Sequence, residues 1–260
     1  MIISRFNYVW MGIIVFAICS AFIMRKILAE RTREQKCSIM GFFYVALFAL
    51  WCSYKYGLSQ DPQYDFVIWN EMPLHICNVC TLLGIIASFK DNERLQAFCY
   101  YIGTIAAPVA MIVVYPGFLD IPLFSAKGLG FWGYHSLLLG ASISFATSGL
   151  YKPKFKDIPK TLFTLFICAG LVHIVNYALE QTVYAGADYF FTRGIKGIAF
   201  TETMYKIIPI PVICMAPAII PLYLGACILT LPAYLTERHI DKEKRNTEYD
   251  NKIIGGINNG

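Results

Sequence analysis

Charge is what this chain has least of. Only 15% of its 260 residues are Asp, Glu, Lys or Arg, against 57% hydrophobic. That balance excludes a water-soluble globule and leaves an integral membrane protein. Other absences narrow the function. No internal repeat is visible, so the inverted-repeat signature of many transporters is missing. No stretch interleaves basic and aromatic residues as a nucleic-acid surface does, so no nucleic-acid partner is expected. No carboxylate shell accompanies the histidines and cysteines, which speaks against a metal, and no cofactor is expected. No small-x-small cleavage pattern follows the first apolar run, Tyr8 to Met24, which therefore reads as a retained helix.

What is there is a series of seven apolar windows, each near the roughly 20 residues needed to cross a bilayer. They run near Tyr8 to Met24, Ser38 to Tyr56, Pro73 to Phe89, Ala97 to Tyr115, Leu129 to Leu150, Thr161 to Leu179 and Ile208 to Leu235. The expected fold is all-α, a polytopic bundle of about seven transmembrane helices in a multi-pass protein of the cell membrane. Of the 22 Lys and Arg residues, sixteen fall in Arg25 to Lys36, Lys90 to Arg94, Lys152 to Lys160 and Arg238 to Lys252. The alternate side carries Arg5, Lys55, Lys127, Arg193, Lys196 and Lys206. This bias places the N-terminus outside and the C-terminus in the cytoplasm, and assigns the net charge of +5 to topology and anionic headgroups. Trp10, Trp51, Trp69 and Trp132 then sit near the outer ends as an aromatic belt. Residues 1–237 form one transmembrane domain, and 238–260 a polar, mobile cytoplasmic tail. The outer segment Gln181 to Lys206 reads as an interfacial loop or short helix that could cover a site, with no residue pattern that specifies chemistry. The prolines at 209, 211, 217, 221 and 232 predict a kinked or broken seventh span.

The third window opens Met72-Pro73-Leu74-His75-Ile76-Cys77-Asn78-Val79-Cys80-Thr81, polar residues where apolar ones would be less costly in a bilayer. With Pro73 at the first helical position, Cys77 falls in the second turn, where the positive end of the helix dipole favours thiolate. Cys80 and Thr81 share its face, whereas His75, two residues back, points the other way. At about 1.5 Å per residue, Cys77 lies roughly 6 Å and His135 roughly 9 Å from the outer ends of their spans. His173, Asn176 and Tyr177 reach the same layer from the sixth. The remaining cysteines, Cys19, Cys37, Cys52, Cys99, Cys168, Cys214 and Cys227, read as small hydrophobes.

Leu74-His75-Ile76-Cys77-Asn78 after Pro73, Tyr134-His135 in a later span and Asn176-Tyr177 near the end of the next resemble the YwaF-like bacterial integral membrane proteins. The resemblance covers the chain from about Ser38 to Leu235. That family is similar to a multi-pass transmembrane acyltransferase acting on ether phospholipids, and more distantly to the androgen-induced-gene membrane hydrolases of fatty acid esters. The resemblance implies Cys77 as nucleophile and His135 as base. The hydrolase branch uses a threonine, and Thr81 is on the face of Cys77.

The expectation is therefore a membrane-embedded acyl-ester enzyme, an acyltransferase or lipid hydrolase whose partners are the bilayer and a phospholipid or fatty-acyl ester. Cys77 and His135 are its catalytic pair. His75, Asn78, Thr81, Tyr134, His173, Asn176 and Tyr177 are supporting or substrate-binding residues. Two rivals stand beside it. Cys77-Asn78-Val79-Cys80 is a C-x-x-C, as in membrane thiol oxidases, although the second outer cysteine pair of such enzymes is lacking. A transporter or non-catalytic assembly protein would explain the polar layer without chemistry.

Overall fold

Asn7 and Thr32 each end an extended stretch and start a helix. Asn7 Oδ1 accepts from the Trp10 N–H at 2.8 Å to open α1 (Tyr8–Leu28). Thr32 and Gln35 cap one another reciprocally to open α2 (Arg33–Ser59). Arg25 and Lys26 occupy the last turn of α1, where cations offset the negative end of the helix dipole. In the computed structural model, which describes residues 1–114, 116–193 and 199–257, seven more α-helices follow. They are α3 (Ile76–Phe89), α4 (Glu93–Phe98), α5 (Thr104–Ile112), α6 (Tyr134–Thr147), α7 (Ile158–Thr182), α8 (Ala199–Ile207) and α9 (Ile219–Ile257). A π-helical turn, Cys99–Gly103, joins α4 to α5, and a second, Gly128–Gly133, leads into α6. One short antiparallel pair, β1 (Ile2–Ile3) with β2 (Ile121–Pro122), ties the N-terminus to the loop before α6.

Each of the seven apolar windows contains a helix. Among the described residues, five helical segments are long and apolar enough to cross a membrane: Tyr8–Leu28, Arg33–Ser59, Glu93–Ile112, Phe155–Thr182 and Ile213–Ile240. α3 is different. Its 14 residues extend only about 21 Å, short of the roughly 30 Å hydrocarbon core.

The helix also starts later than Pro73, which is not at its first position. Leu74 N–H donates to Met72 O at 2.8 Å, closing a tight turn around Pro73, and His75 is the extended N-cap residue (φ −73°, ψ 155°). The reason lies far along the chain. Tyr189 Oη accepts from the Met72 N–H at 2.9 Å and donates to Trp69 O at 2.7 Å, so the chain just before Pro73 is tied to Tyr189 as a loop.

The seventh window is broken, as its prolines predict. Pro209 and Pro211 lie in non-helical backbone, Val212 takes a positive φ of 65°, and a 3₁₀ turn, Ile213–Ala218, leads into α9. α9 then runs past Leu235 to Ile257, so residues 238–257 carry helical backbone. Residues 258–260 of the tail, Tyr115 of the fourth window and 194–198 of the segment Gln181 to Lys206 lie outside the described residues.

Two tryptophans depart from the belt. Trp10 Nε1–H donates to Met111 O at 3.4 Å and Trp132 Nε1–H to Phe118 O at 3.1 Å. Both indoles are buried. Carbonyls at and beyond the end of α5 satisfy their donors inside the protein, so the rings pack inward.

α1 lies along α6, and α2 along α3. The α2–α3 pair is antiparallel, fixed by Arg33 on Asp91, the Phe89 ring against Gly41, the Tyr44 ring against Gly84, and Lys55 on Glu71. Arg33 Nε and Nη2 grip the Asp91 carboxylate at 2.6 and 2.7 Å. Arg33, with Gln96 and Cys37, holds that carboxyl down at about 2. A carboxyl whose pKa is lowered on folding stabilises fully above its unfolded value of about 3.9, and the contribution disappears as pH falls through the folded value. Both side chains are about half exposed, so the pair is worth at most about 1 kcal/mol, or roughly 2–4 °C in melting temperature. Asp91→Asn should melt that much lower than wild type in detergent from pH 7 down to pH 4. The gap should close as pH falls toward 2, and a gap that does not change with pH would show that charge is not its origin.

Candidate functional site

Because α3 is short and its C-terminal end is clamped at Arg33–Asp91, its N-terminus stops short of the C-terminal end of α2. The register that sets Tyr44 against Gly84 brings Cys77 level with residues near Trp51. From there α2 continues roughly two turns, about 12 Å. A helix N-terminus thus opens inside the bundle, the kind of irregular backbone tolerated only where protein surrounds it. Cys77 and Asn78 are the second and third helical residues of α3, so the site has more of the dipole's positive end than a second-turn position would.

Tyr134 fastens this turn to α6. Its hydroxyl meets Thr81 Oγ1 at 2.6 Å and lies 3.1 Å from Cys77 O and 3.0 Å from Asn78 Oδ1. Thr81 Oγ1–H also has Cys77 O at 3.1 Å. The phenol reaches α3 from the first residue of α6, which directly follows the π turn Gly128–Gly133. Gly130 allows that turn close to α2, since a Cβ there would collide with the Tyr54 ring. Asn78 Nδ2 has no acceptor among the described residues. Cys77 is 6% exposed and Cys80 wholly buried, and all nine cysteines are free.

His135 follows Tyr134 and is buried against the rings of Phe131 and Tyr134, 4.4 and 5.3 Å between centroids. Its Nδ1 lies 2.7 Å from Phe131 O. A carbonyl only accepts, so Nδ1 carries the proton and Nε2 keeps its lone pair. No hydrogen bond links His135 to Cys77 among the described residues. His75 is not on a helical face opposite Cys77, because it precedes the helix. Its ring packs on Tyr189 at 5.0 Å and Phe191 at 5.7 Å.

α7 contributes indirectly. Asn176 is wholly buried, with Nδ2 donating to Tyr189 O at 2.8 Å and Thr192 Oγ1 at 3.0 Å, and Oδ1 accepting from Tyr189 N–H at 3.0 Å. His173 Nδ1 meets Thr192 Oγ1 at 3.1 Å. Thr192 O in turn accepts from Val212 N–H at 2.8 Å. These contacts hold residues 189–192 over His75, with Phe190 and Phe191 at positive φ (59° and 54°), costly for bulky side chains. Asn176 is thus fully engaged as an anchor. Tyr177 is 60% exposed on the outer surface of the bundle and does not join the others. Asn176→Leu would strand a buried N–H and carbonyl of Tyr189, at about 1–3 kcal/mol each. The variant should melt several degrees lower in detergent and expose Tyr189 to faster amide exchange. Unchanged exchange would refute the anchoring role.

The sequence reading missed an ion pair beside the site. Lys55 is paired with Glu71, both side chains largely buried. Glu71 Oε1 also accepts from Tyr64 Oη at 2.6 Å and Asn70 Nδ2 at 3.1 Å. Lys55 Nζ stands 4.5 Å from the Tyr54 ring centroid. Burial, then the Glu71 carboxylate, pushes the Tyr64 phenol up, keeping it a donor. Burial pushes Tyr189 up to about 12. The signal existed: Lys55 falls inside the window Ser38 to Tyr56, and a charge inside a span calls for a partner.

The model of one protein family, described as the TMEM164 family, matches residues 2–228 of the chain. No curated protein matches it. No solved structure does.

Proposed function

The chain belongs to the TMEM164 family, a multi-pass membrane family, and from that premise we propose that it is an acyl-ester enzyme of the cell membrane. Cys77 is its nucleophile and His135 its base. The supporting observation is the tautomer of His135: with Nδ1–H fixed on Phe131 O, Nε2 is a base one residue from the phenol that binds the Cys77 turn. The missing Cys77–His135 contact is of the kind that closes in a substrate complex. The loop charge bias supports an outer-leaflet site, with the N-terminus outside and the C-terminus in the cytoplasm.

In the proposed reaction His135 Nε2 takes the Cys77 thiol proton, and Sγ attacks the acyl carbonyl carbon. A C–S bond forms, the ester C–O bond breaks, and the lyso-lipid alkoxide leaves with the proton from the imidazolium. A second lipid hydroxyl, or water, then gives its proton to His135, attacks the thioester and expels Sγ. The N-terminal N–H groups of α3 and the free Asn78 Nδ2 are the donors available to the oxyanion. His75, Thr81, Tyr134 and Asn176 position this machinery through the contacts above. His173 shares Thr192 with Asn176, and Tyr177 faces lipid. The test is purified protein treated with an iodoacetamide probe, and the labelled residue mapped. Label on Cys77 that a phospholipid substrate suppresses supports the reading. Label that substrate leaves unchanged moves it to the transporter or assembly alternative.

A further inference from the structure

Six buried side-chain oxygens have no hydrogen-bond partner among the described residues: those of Tyr44, Tyr54, Thr104, Ser142 and Ser148, and Gln96 Oε1. Native interiors leave few such groups unpaired. Three of the six belong to one layer at the middle of the bundle. The Tyr44 ring lies against Gly84 and Ser142 Oγ against Gly103, so close that a Cβ on either glycine would collide with them. Tyr44 also stacks on Phe145, 5.8 Å between centroids, one turn after Ser142. Thr104 follows Gly103 at the end of the π turn. Tyr44 and Ser142 are wholly buried, Thr104 nearly so.

Three helices therefore aim orphaned hydroxyls at one layer. Each is neutral and both donates and accepts. That set suits a ligand that does the same, whereas a cation would call for more oxygens or a carboxylate. A buried water is held by two to four polar partners where the site is polar. The irregular π turn belongs to the same picture, since such insertions gather at functional positions. We propose that a buried water molecule bridges Tyr44 Oη and Ser142 Oγ at the bundle centre, with Thr104 Oγ1 as its third partner. Gly84, against which the Tyr44 ring lies, is two turns deeper on α3 than Cys77. The water thus forms the floor beneath the Tyr134 clamp, whatever chemistry takes place above it.

The test uses the full chain in lipid nanodiscs. X-ray radiolytic footprinting should hydroxylate Tyr44 well above Tyr101, which is equally buried but hydrogen-bonded to Thr230 at 2.8 Å. Modification of Tyr44 no greater than that of Tyr101 would overturn the assignment. Tyr44→Phe and Ser142→Ala should each lower the melting temperature, and the double variant should lose less than the two together, because both remove the same bridge. Variants that melt at or above wild type would mean a dry layer relieved of an orphan hydroxyl. A melting temperature that rises when sodium chloride replaces choline chloride would replace the water with a cation.

Discussion

Replacement of Cys77 by Ala is expected to abolish acyl transfer, while Cys80→Ala keeps most of it. The two thiols are three residues apart on α3, and their surroundings differ. Cys77 stands in the first turn, next to unpaired backbone N–H groups whose partial positive charge favours thiolate, and it retains some access. Cys80 is wholly buried, with its carbonyl taken by Cys99 Sγ at 3.5 Å. A nucleophile acts by forming a bond, so its loss removes the path itself. A fall of at least about 10⁴-fold is the scale for such a group. Acyl transfer from a labelled phospholipid in micelles is the measurement, together with mass spectrometry for a Cys77–Cys80 disulfide. Equal losses in both variants with that disulfide present would make the protein a thiol oxidoreductase. Undiminished transfer in both variants would take the nucleophile's role from Cys77.

The helices were legible because the bilayer imposes a simple code of apolar length and basic loops, and each window holds helix. The start of α3 was not legible. Pro73 has the right chemistry for a first helical position, yet a tyrosine 116 positions later holds the loop before it through Met72 and Trp69. The positions of His75 and the inward Trp132 were hidden for the same reason: each depends on a hydrogen bond to a loop distant in sequence. Cys77, Asn78, Thr81 and Tyr134 were found from sequence because polar residues at the head of an apolar run are conspicuous, and the structure does join them. Lys55, a charge at the end of its window, calls for a partner but does not name one, and only the antiparallel register of α2 and α3 brings Glu71 to it. The π turn before α6 leaves no composition signal beyond Gly128, Gly130 and Gly133, and it is what aims Tyr134.

His135→Gln should lower acyl transfer by about 10²- to 10⁴-fold at neutral pH, the range for a positioned acid–base group. The argument rests on which nitrogen is free. Phe131 O holds Nδ1–H at 2.7 Å, so Nε2 is the only imidazole site able to take a proton from Cys77. Glutamine can still donate to the carbonyl but has no comparably basic atom. As pH rises, hydroxide makes thiolate without help, so the deficit should shrink steadily toward alkaline pH. His75→Gln is the control. Its ring is packed on Tyr189 and Phe191, so its loss should appear mainly in melting temperature, with no pH-dependent deficit. If instead His75→Gln shows the pH signature and His135→Gln does not, the base is His75, which sits two residues before the nucleophile. Residues acting as one unit are non-additive, so the Cys77→Ala/His135→Gln double variant should be little worse than Cys77→Ala alone. Losses that multiply would return His135 to a structural role, a histidine whose work is to close the carbonyl left at the junction of the π turn with α6.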